Sequence, residues 1–95
     1  AVEAREKAFN DRLKAFEDRE VNLAKNARFL VGMRPQDAVA RLAAMEDQDV
    51  IDIFRITEEE AAAAGETSLV AYWLSLMDPT RAATLMRKMQ RRPGG

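Results

Sequence analysis

A seven-residue spacing of apolar side chains over the first third of the chain constrains the fold more than any other feature. The spaced residues are Val2, Phe9, Phe16, Leu23 and Leu30. No proline or glycine occurs before Gly32, so residues 1–31 are predicted to form one uninterrupted helix. Apolar side chains repeated every seven residues lie along one stripe of a helix, as in a coiled coil. The sequence therefore predicts a long helix that buries this stripe against another helix.

A second copy of the chain is the predicted partner of the stripe. With the spaced residues at heptad position d, two of the four a positions are acidic, the four being Glu6, Leu13, Glu20 and Ala27. In a parallel dimer, Arg12 at position g would face Glu17 at position e of the other chain. The predicted dimer interface comprises Val2, Phe9, Leu13, Phe16 and Leu23. The alternative is a single helix whose stripe folds back on its own chain.

The rest of the chain contains one motif twice, 44 residues apart. Residues 33–45 and 77–89 share the frame M-x-P-x-x-A-x-x-x-[LM]-x-x-M. Each copy is predicted to be a helix that starts at its proline, because proline suits the first helical position. Asp78 is predicted to cap the second of these helices, whereas Arg34 is a poor cap for the first. The predicted apolar faces are Ala38, Leu42 and Met45, and Ala82, Met86 and Met89.

Three more helices are predicted between the two copies, at about 48–55, 57–64 and 69–77. Asp47 is the expected N-cap of the first helix. Thr57 and Glu60 form a capping box at the start of the second. Gly65 is the expected end of that second helix.

The predicted fold class is all-α, because no stretch shows the alternation of a half-buried strand. The coiled-coil helix, residues 1–31, is followed at 33–92 by a compact bundle or superhelix of about five short helices. The expected core of this domain contains Ile53, Phe54, Leu74, Met77, Leu85 and Met86.

Catalytic chemistry has little support in the composition. The 95 residues include no cysteine and no histidine, which excludes thiolate nucleophiles, imidazole bases and the usual zinc ligands. The four glycines are scattered rather than gathered in a phosphate-binding loop. Acidic clusters at 46–52 and 58–60 are interpreted as acids at helix starts rather than as cation sites. We therefore expect no enzymatic activity, no cofactor and no bound metal.

Charge is strongly segregated although the net charge is only −1. Residues 1–28 carry seven basic and six acidic side chains, residues 29–80 three and ten, and residues 81–95 five and none. Acids at helix starts and bases at the last helix end complement helix dipoles, which we favour over steering of a charged partner. The basic end lacks interleaved aromatic residues, so we expect no nucleic acid as partner.

The adjacent aromatic residues Tyr72 and Trp73 point to different faces of their predicted helix. One of them is expected in the core, and an exposed one would be a good anchor for a partner protein. The candidate partner surface comprises Tyr72, Trp73, Arg87 and Arg91.

The repeated M-x-P-x-x-A frame, with short capped helices between its copies, resembles the MgtE N-terminal-type helical domain. A coiled-coil helix leading into such a domain is similar to the flagellar members of that family, which include the motor chaperone MotE. The run at residues 72–83, Tyr-Trp-Leu-Ser-Leu-Met-Asp-Pro-Thr-Arg-Ala-Ala, resembles the spirochaetal flagellar collar family FlbB. The magnesium response of the MgtE transporter is not carried over, because its acidic residues find no match in this sequence.

The resemblance implies a non-enzymatic scaffold in the periplasm, assembled around the flagellar motor and needed for motility. It also implies a parallel homodimer, contacts with other motor proteins and an inner-membrane anchor upstream of the coil. Contact with the membrane is expected only through that anchor, which this chain does not contain. Two alternatives stay open: a chaperone-like binder of a single motor protein, and a regulatory domain that responds to divalent cations.

Overall fold

The fold is all-α, as predicted. A computed structural model describes the backbone of residues 2–90 and the side chains of residues 6–90. Its helices are α1 (Val2–Gly32), α2 (Pro35–Ala43), α3 (Asp47–Ala64), α4 (Val70–Leu76) and α5 (Pro79–Gln90). Within residues 2–90 there is no β-strand. A long first helix is therefore followed by four shorter ones that pack together.

The predicted break at Thr57 is wrong, because α3 runs through it. Thr57 is buried, and its hydroxyl donates a hydrogen bond of 2.7 Å to the carbonyl of Ile53, four residues back. A threonine hydroxyl can bond either to free N–H groups at a helix start or to a carbonyl one turn back. The sequence pattern does not distinguish these two uses, so one helix of 18 residues was interpreted as two.

The predicted ends of three helices are confirmed. Asp78 accepts a hydrogen bond of 3.0 Å from the backbone N–H of Arg81, so it caps α5. Arg34 makes no such bond at the start of α2. Gly65 ends α3 with φ at 70°, the left-handed conformation that glycine adopts without strain. The N–H of Glu66 then reaches back to the carbonyl of Ala61 at 2.8 Å.

The helices pack with α1 and α3 side by side and parallel. Arg19 pairs with Asp49 near the start of α3, and Arg28 pairs with Glu60 near its end. Helix α2 packs against α1 and α4, while α5 packs against α3 and α4. The core that results is made of Leu23, Ala27, Leu30, Ala38, Leu42, Val50, Ile53, Phe54, Ile56, Val70, Trp73, Met77, Ala82 and Leu85.

Two fully buried aromatic rings lie at the centre of this core. The ring centroids of Phe54 and Trp73 are 6.2 Å apart, with an angle of 27° between the planes. Such an offset stack adds to the free energy gained by burying the two rings. The indole Nε1 of Trp73 is buried and has no hydrogen-bond partner among the described residues. Apolar packing rather than polar bonding therefore fixes Trp73.

The predicted core is confirmed for Ile53, Phe54, Met77 and Leu85. Leu74 is partly buried at the edge of the core. The prediction that Met86 is buried is wrong, since its side chain is 49% exposed. The two copies of the repeat bury different positions: Leu42 is buried in α2, whereas in α5 the buried residue is Leu85, one position before the aligned Met86. The copies therefore differ at this position, although the aligned Ala38 and Ala82 are buried in both.

The replacement Phe54→Ala should lower the free energy of unfolding by about 3–5 kcal/mol, because it removes a buried ring and leaves a cavity. Phe29→Ala is the matched control, since Phe29 is 64% exposed on α1. Urea denaturation of both variants checks this, and equal losses at the two positions would contradict the core described above.

The replacement Asp78→Ala should lower the free energy of unfolding by about 1 kcal/mol, because α5 loses its side-chain cap. Arg34→Ala should be close to neutral, as Arg34 is exposed and makes no cap bond. The two thermal midpoints give the comparison, and a larger loss for the Arg34 variant would reverse the assignment of the caps.

Candidate functional site

The upstream half of α1 extends away from the packed domain. Every described side chain from Glu6 to Arg19 is exposed. Three of them are large and apolar, and lie on one stripe of the helix: Phe9 at 65% exposure, Leu13 at 46% and Phe16 at 61%. We call these three residues the exposed seam. An apolar stripe of this kind on a projecting helix is typical of a surface that pairs with another helix.

The downstream half of the same stripe is buried within the chain. Leu23, Ala27 and Leu30 lie against the domain, and none of them exceeds 7% exposure. The prediction that Leu23 belongs to a dimer interface is therefore corrected, because the chain's own core already covers it. Val2, also predicted there, lies outside the residues whose side chains are described. The downstream half of the stripe thus folds back on its own chain, and the upstream half is exposed, so that pairing with a second copy stays a prediction for that half.

Ion pairs hold the downstream half of α1 on α3. Arg19 reaches Asp49 at 3.2 Å and Asp52 at 3.0 Å, and its hydrogen bond with Asp52 is the main reason that its pKa is raised. At the far end Arg28 lies 2.9 Å from Glu60. Exposed pairs of this type add little to stability, so they align the two helices more than they stabilise them.

Glu20, an acid at a heptad core position, has its partner on α3. As an acid at position a it would be unfavourable in a coiled-coil seam, because parallel chains bring like positions together. In the fold it is half-buried, and its carboxylate lies 3.2 Å from the guanidinium of Arg55 on α3. Burial acts to lower the pKa of Arg55, but the carboxylate of Glu20, helped by Glu59 and Asp52, raises it overall. Glu20 is therefore suited to α3 and not to a second copy of α1.

A second charged cluster joins α5 to the turn between α2 and α3. Asp47 accepts hydrogen bonds from Lys88 at 2.8 Å and from Arg81 at 3.2 Å. Arg81 also donates to the carbonyls of Leu42, at 3.0 Å, and of Met45. Both carbonyls lie at or just after the end of α2, and the Leu42 carbonyl also accepts the N–H of Met45. The cluster fixes the position of the basic last helix on the domain.

The prediction that Asp47 caps α3 is corrected by this cluster. The N-cap is Glu46, which makes no side-chain cap bond, and Asp47 is the first residue of the helix. The hydrogen bond from Lys88 lowers the pKa of Asp47, helped by Arg81 and opposed by desolvation. From the sequence, Asp47 was predicted to bond with the N–H groups of its own helix, but its partners Arg81 and Lys88 lie more than thirty residues away.

Part of the candidate partner surface is buried in the core. Trp73 is fully buried and is removed from it, while Tyr72 is 51% exposed. Arg87 is exposed and donates a hydrogen bond to Thr84. Arg91 lies outside the described residues. The outward face of α4 consists of Ala71, Tyr72, Ser75 and Leu76, which carry no charge.

Neither acidic cluster is assembled as a cation site. Asp49 and Asp52 are engaged by Arg19, and Asp47 is engaged by Arg81 and Lys88. Among the described side chains no group of three acids lies close enough to hold a metal ion. In the described part of the chain, no helix has the length and apolar character needed to cross a bilayer.

Comparison with models of known protein families, with curated proteins and with solved structures gave no match for this chain. The geometry of its own residues therefore carries the functional argument. Sequence analysis located the seam, because heptad spacing is a local signal. The ion pairs that join α1 to α3 were not predicted. The only sequence signal for them was the excess of acidic residues in 29–80, which basic residues elsewhere in the chain could neutralise.

The replacement Asp47→Asn should lower the thermal midpoint at neutral pH, because Arg81 and Lys88 lose their charged partner. The pKa of Asp47 is lower in the folded chain than its ordinary value of 3.8, so its stabilising effect is present above 3.8 and is lost as the pH falls below it. The midpoints of the two proteins should therefore converge in strong acid. A difference that stays constant through that range would mean that the charge of Asp47 does not stabilise the fold.

Proposed function

We propose that this chain is a non-enzymatic scaffold protein that self-associates through α1 and presents its helical domain to other proteins. The observation that carries the proposal is the exposed seam on a helix that projects from a packed domain. Three large apolar side chains exposed along one stripe are unfavourable in water unless a partner covers them. A helix that repeats the same stripe is the simplest such partner, and a second copy supplies it.

The place of action is proposed from the family resemblance. In this proposal the chain belongs to the collar of the periplasmic flagellar motor, and an upstream segment anchors the intact protein in the inner membrane. The domain then contacts other motor proteins, and the uncharged outward face of α4 with Tyr72 is the surface we assign to that contact. Aromatic side chains with a polar tip are common anchors of protein interfaces.

Binding fits these residues better than catalysis does. The sequence has no histidine or cysteine, and the acids of residues 47–60 are largely paired with arginine and lysine. We propose no cofactor and no bound metal.

Co-purification of the intact protein from its native cells tests the proposed function. A scaffold should retain several motor proteins together with itself, and Tyr72→Ala should lose motor proteins while it keeps self-association. Ala71→Ser is the matched control on the same face and should lose neither. Recovery of one protein alone would favour a chaperone, and recovery of none would contradict the proposal. Heat released on titration with millimolar Mg²⁺ or Ca²⁺ would favour a cation-responsive domain.

Self-association itself is testable with this chain alone. Wild type should sediment as a dimer at tens of micromolar, while Phe9→Asp/Phe16→Asp should remain a monomer because charge is introduced into the seam. Phe29→Asp is the control, since Phe29 is equally exposed but lies off the stripe. A wild type that stays monomeric, or a control that loses the dimer as well, would contradict the role of the seam.

A further inference from the structure

We propose that a second copy pairs in parallel with α1 only as far as Glu17, and that at Arg19 and Glu20 the same stripe passes to the chain's own α3. The inference rests on the proposed self-association and assigns its extent and direction. One helix face thus serves two partners in succession, the second copy upstream and the domain downstream. The paired region is short, and the two domains diverge immediately after it.

Burial sets the downstream limit of the paired region. Phe16 is 61% exposed, whereas Leu23, the next residue in the seven-residue spacing, is 7% exposed. Leu23 and Ala27 belong to the core that α1 shares with α3, so a second copy cannot reach them without displacing α3. The change from exposed to buried occurs within the two turns that separate Phe16 from Leu23.

Charge sets the same limit independently. Upstream, Arg12 at position g faces Glu17 of the second copy, an attractive pair in a parallel coil. The paired region brings Glu6 against Glu6 of the second copy, and a parallel coil continued downstream would add a like-charge contact at Glu20. In the fold Glu20 has Arg55 as its partner, and Arg19 has Asp49 and Asp52. The charged residues that would have to support a longer coil are therefore already used by α3.

The direction follows from the same charges. In an antiparallel pair centred on Leu13, g positions face g positions, which would place Arg12 beside Arg12 of the second copy. In the parallel pair Arg12 meets Glu17 on both sides of the seam. The chain thus favours the parallel arrangement, in which both domains lie at the same end of the coil. Two outward α4 faces are then displayed at that end.

Cysteine cross-linking tests the extent of pairing, since the sequence contains no cysteine. A disulfide needs Cα atoms about 4.4–6.8 Å apart, a separation that equivalent core positions of a parallel coil meet. Single variants Phe9→Cys and Phe16→Cys should form covalent dimers roughly tenfold faster than Leu23→Cys under mild oxidation. Asp11→Cys, exposed and off the stripe, measures random collision and should also be slow. Circular dichroism establishes that each variant is folded.

Three outcomes would overturn the inference. Cross-linking at Leu23→Cys as fast as at Phe16→Cys would show that the coil continues through the domain. Cross-linking that requires a mixture of Phe9→Cys and Phe16→Cys would show an antiparallel pair. If neither Phe9→Cys nor Phe16→Cys cross-links faster than Asp11→Cys, no pair forms at the seam. The first two would leave the proposed scaffold function standing, because self-association would still occur.

A second variant tests where the paired region ends without replacing a core residue. Glu20→Ala should leave the dimer dissociation constant unchanged within about twofold, because Glu20 faces α3 and not the second copy. If instead the coil continued past this position, the variant would relieve a like-charge contact and tighten the dimer. A markedly tighter dimer would therefore overturn the inference.

Discussion

The packing of α1 on α3 is the interaction on which the rest of the structure depends. It joins the two longest helices in parallel, buries Leu23, Ala27 and Leu30, and is bordered by three sets of ion pairs. The other helices then assemble against this pair, with Trp73 stacked on Phe54. Because the contact ends near Arg19, the described side chains of residues 6–18 are exposed and are not covered by the chain's own core. The seam is thus a direct consequence of where α3 begins.

The fold class and the long helix could be predicted from the sequence because both depend on local signals. Heptad spacing, the absence of proline and glycine before Gly32, and the Asp78 cap each act within a few residues. The break predicted at Thr57 failed because a hydroxyl has two local uses, and only packing selects one of them. The burial of Leu85 instead of Met86 likewise depends on how α5 is turned, which its own periodicity does not fix.

The candidate site was predictable only in its upstream half. Heptad spacing identified Phe9, Leu13 and Phe16, but it gave Leu23 the same status because the spacing is uniform. What separates Leu23 from Phe16 is contact with a helix thirty residues further along the chain. Glu20, an anomaly in the heptad, was the local sign of that change, and it becomes intelligible once Arg55 is placed beside it. Glu20 thus lies at the point where the stripe changes partner.

Amide hydrogen exchange followed over a range of protein concentrations tests this division of the stripe most directly. Exchange at residues 6–18 should slow as concentration rises, because an unpaired helical arm opens easily and pairing protects it. Exchange at residues 21–31 should be slow at every concentration, because α3 protects that half within each chain. Exchange at residues 6–18 that is independent of concentration, or protection of residues 21–31 that appears only at high concentration, would contradict the account.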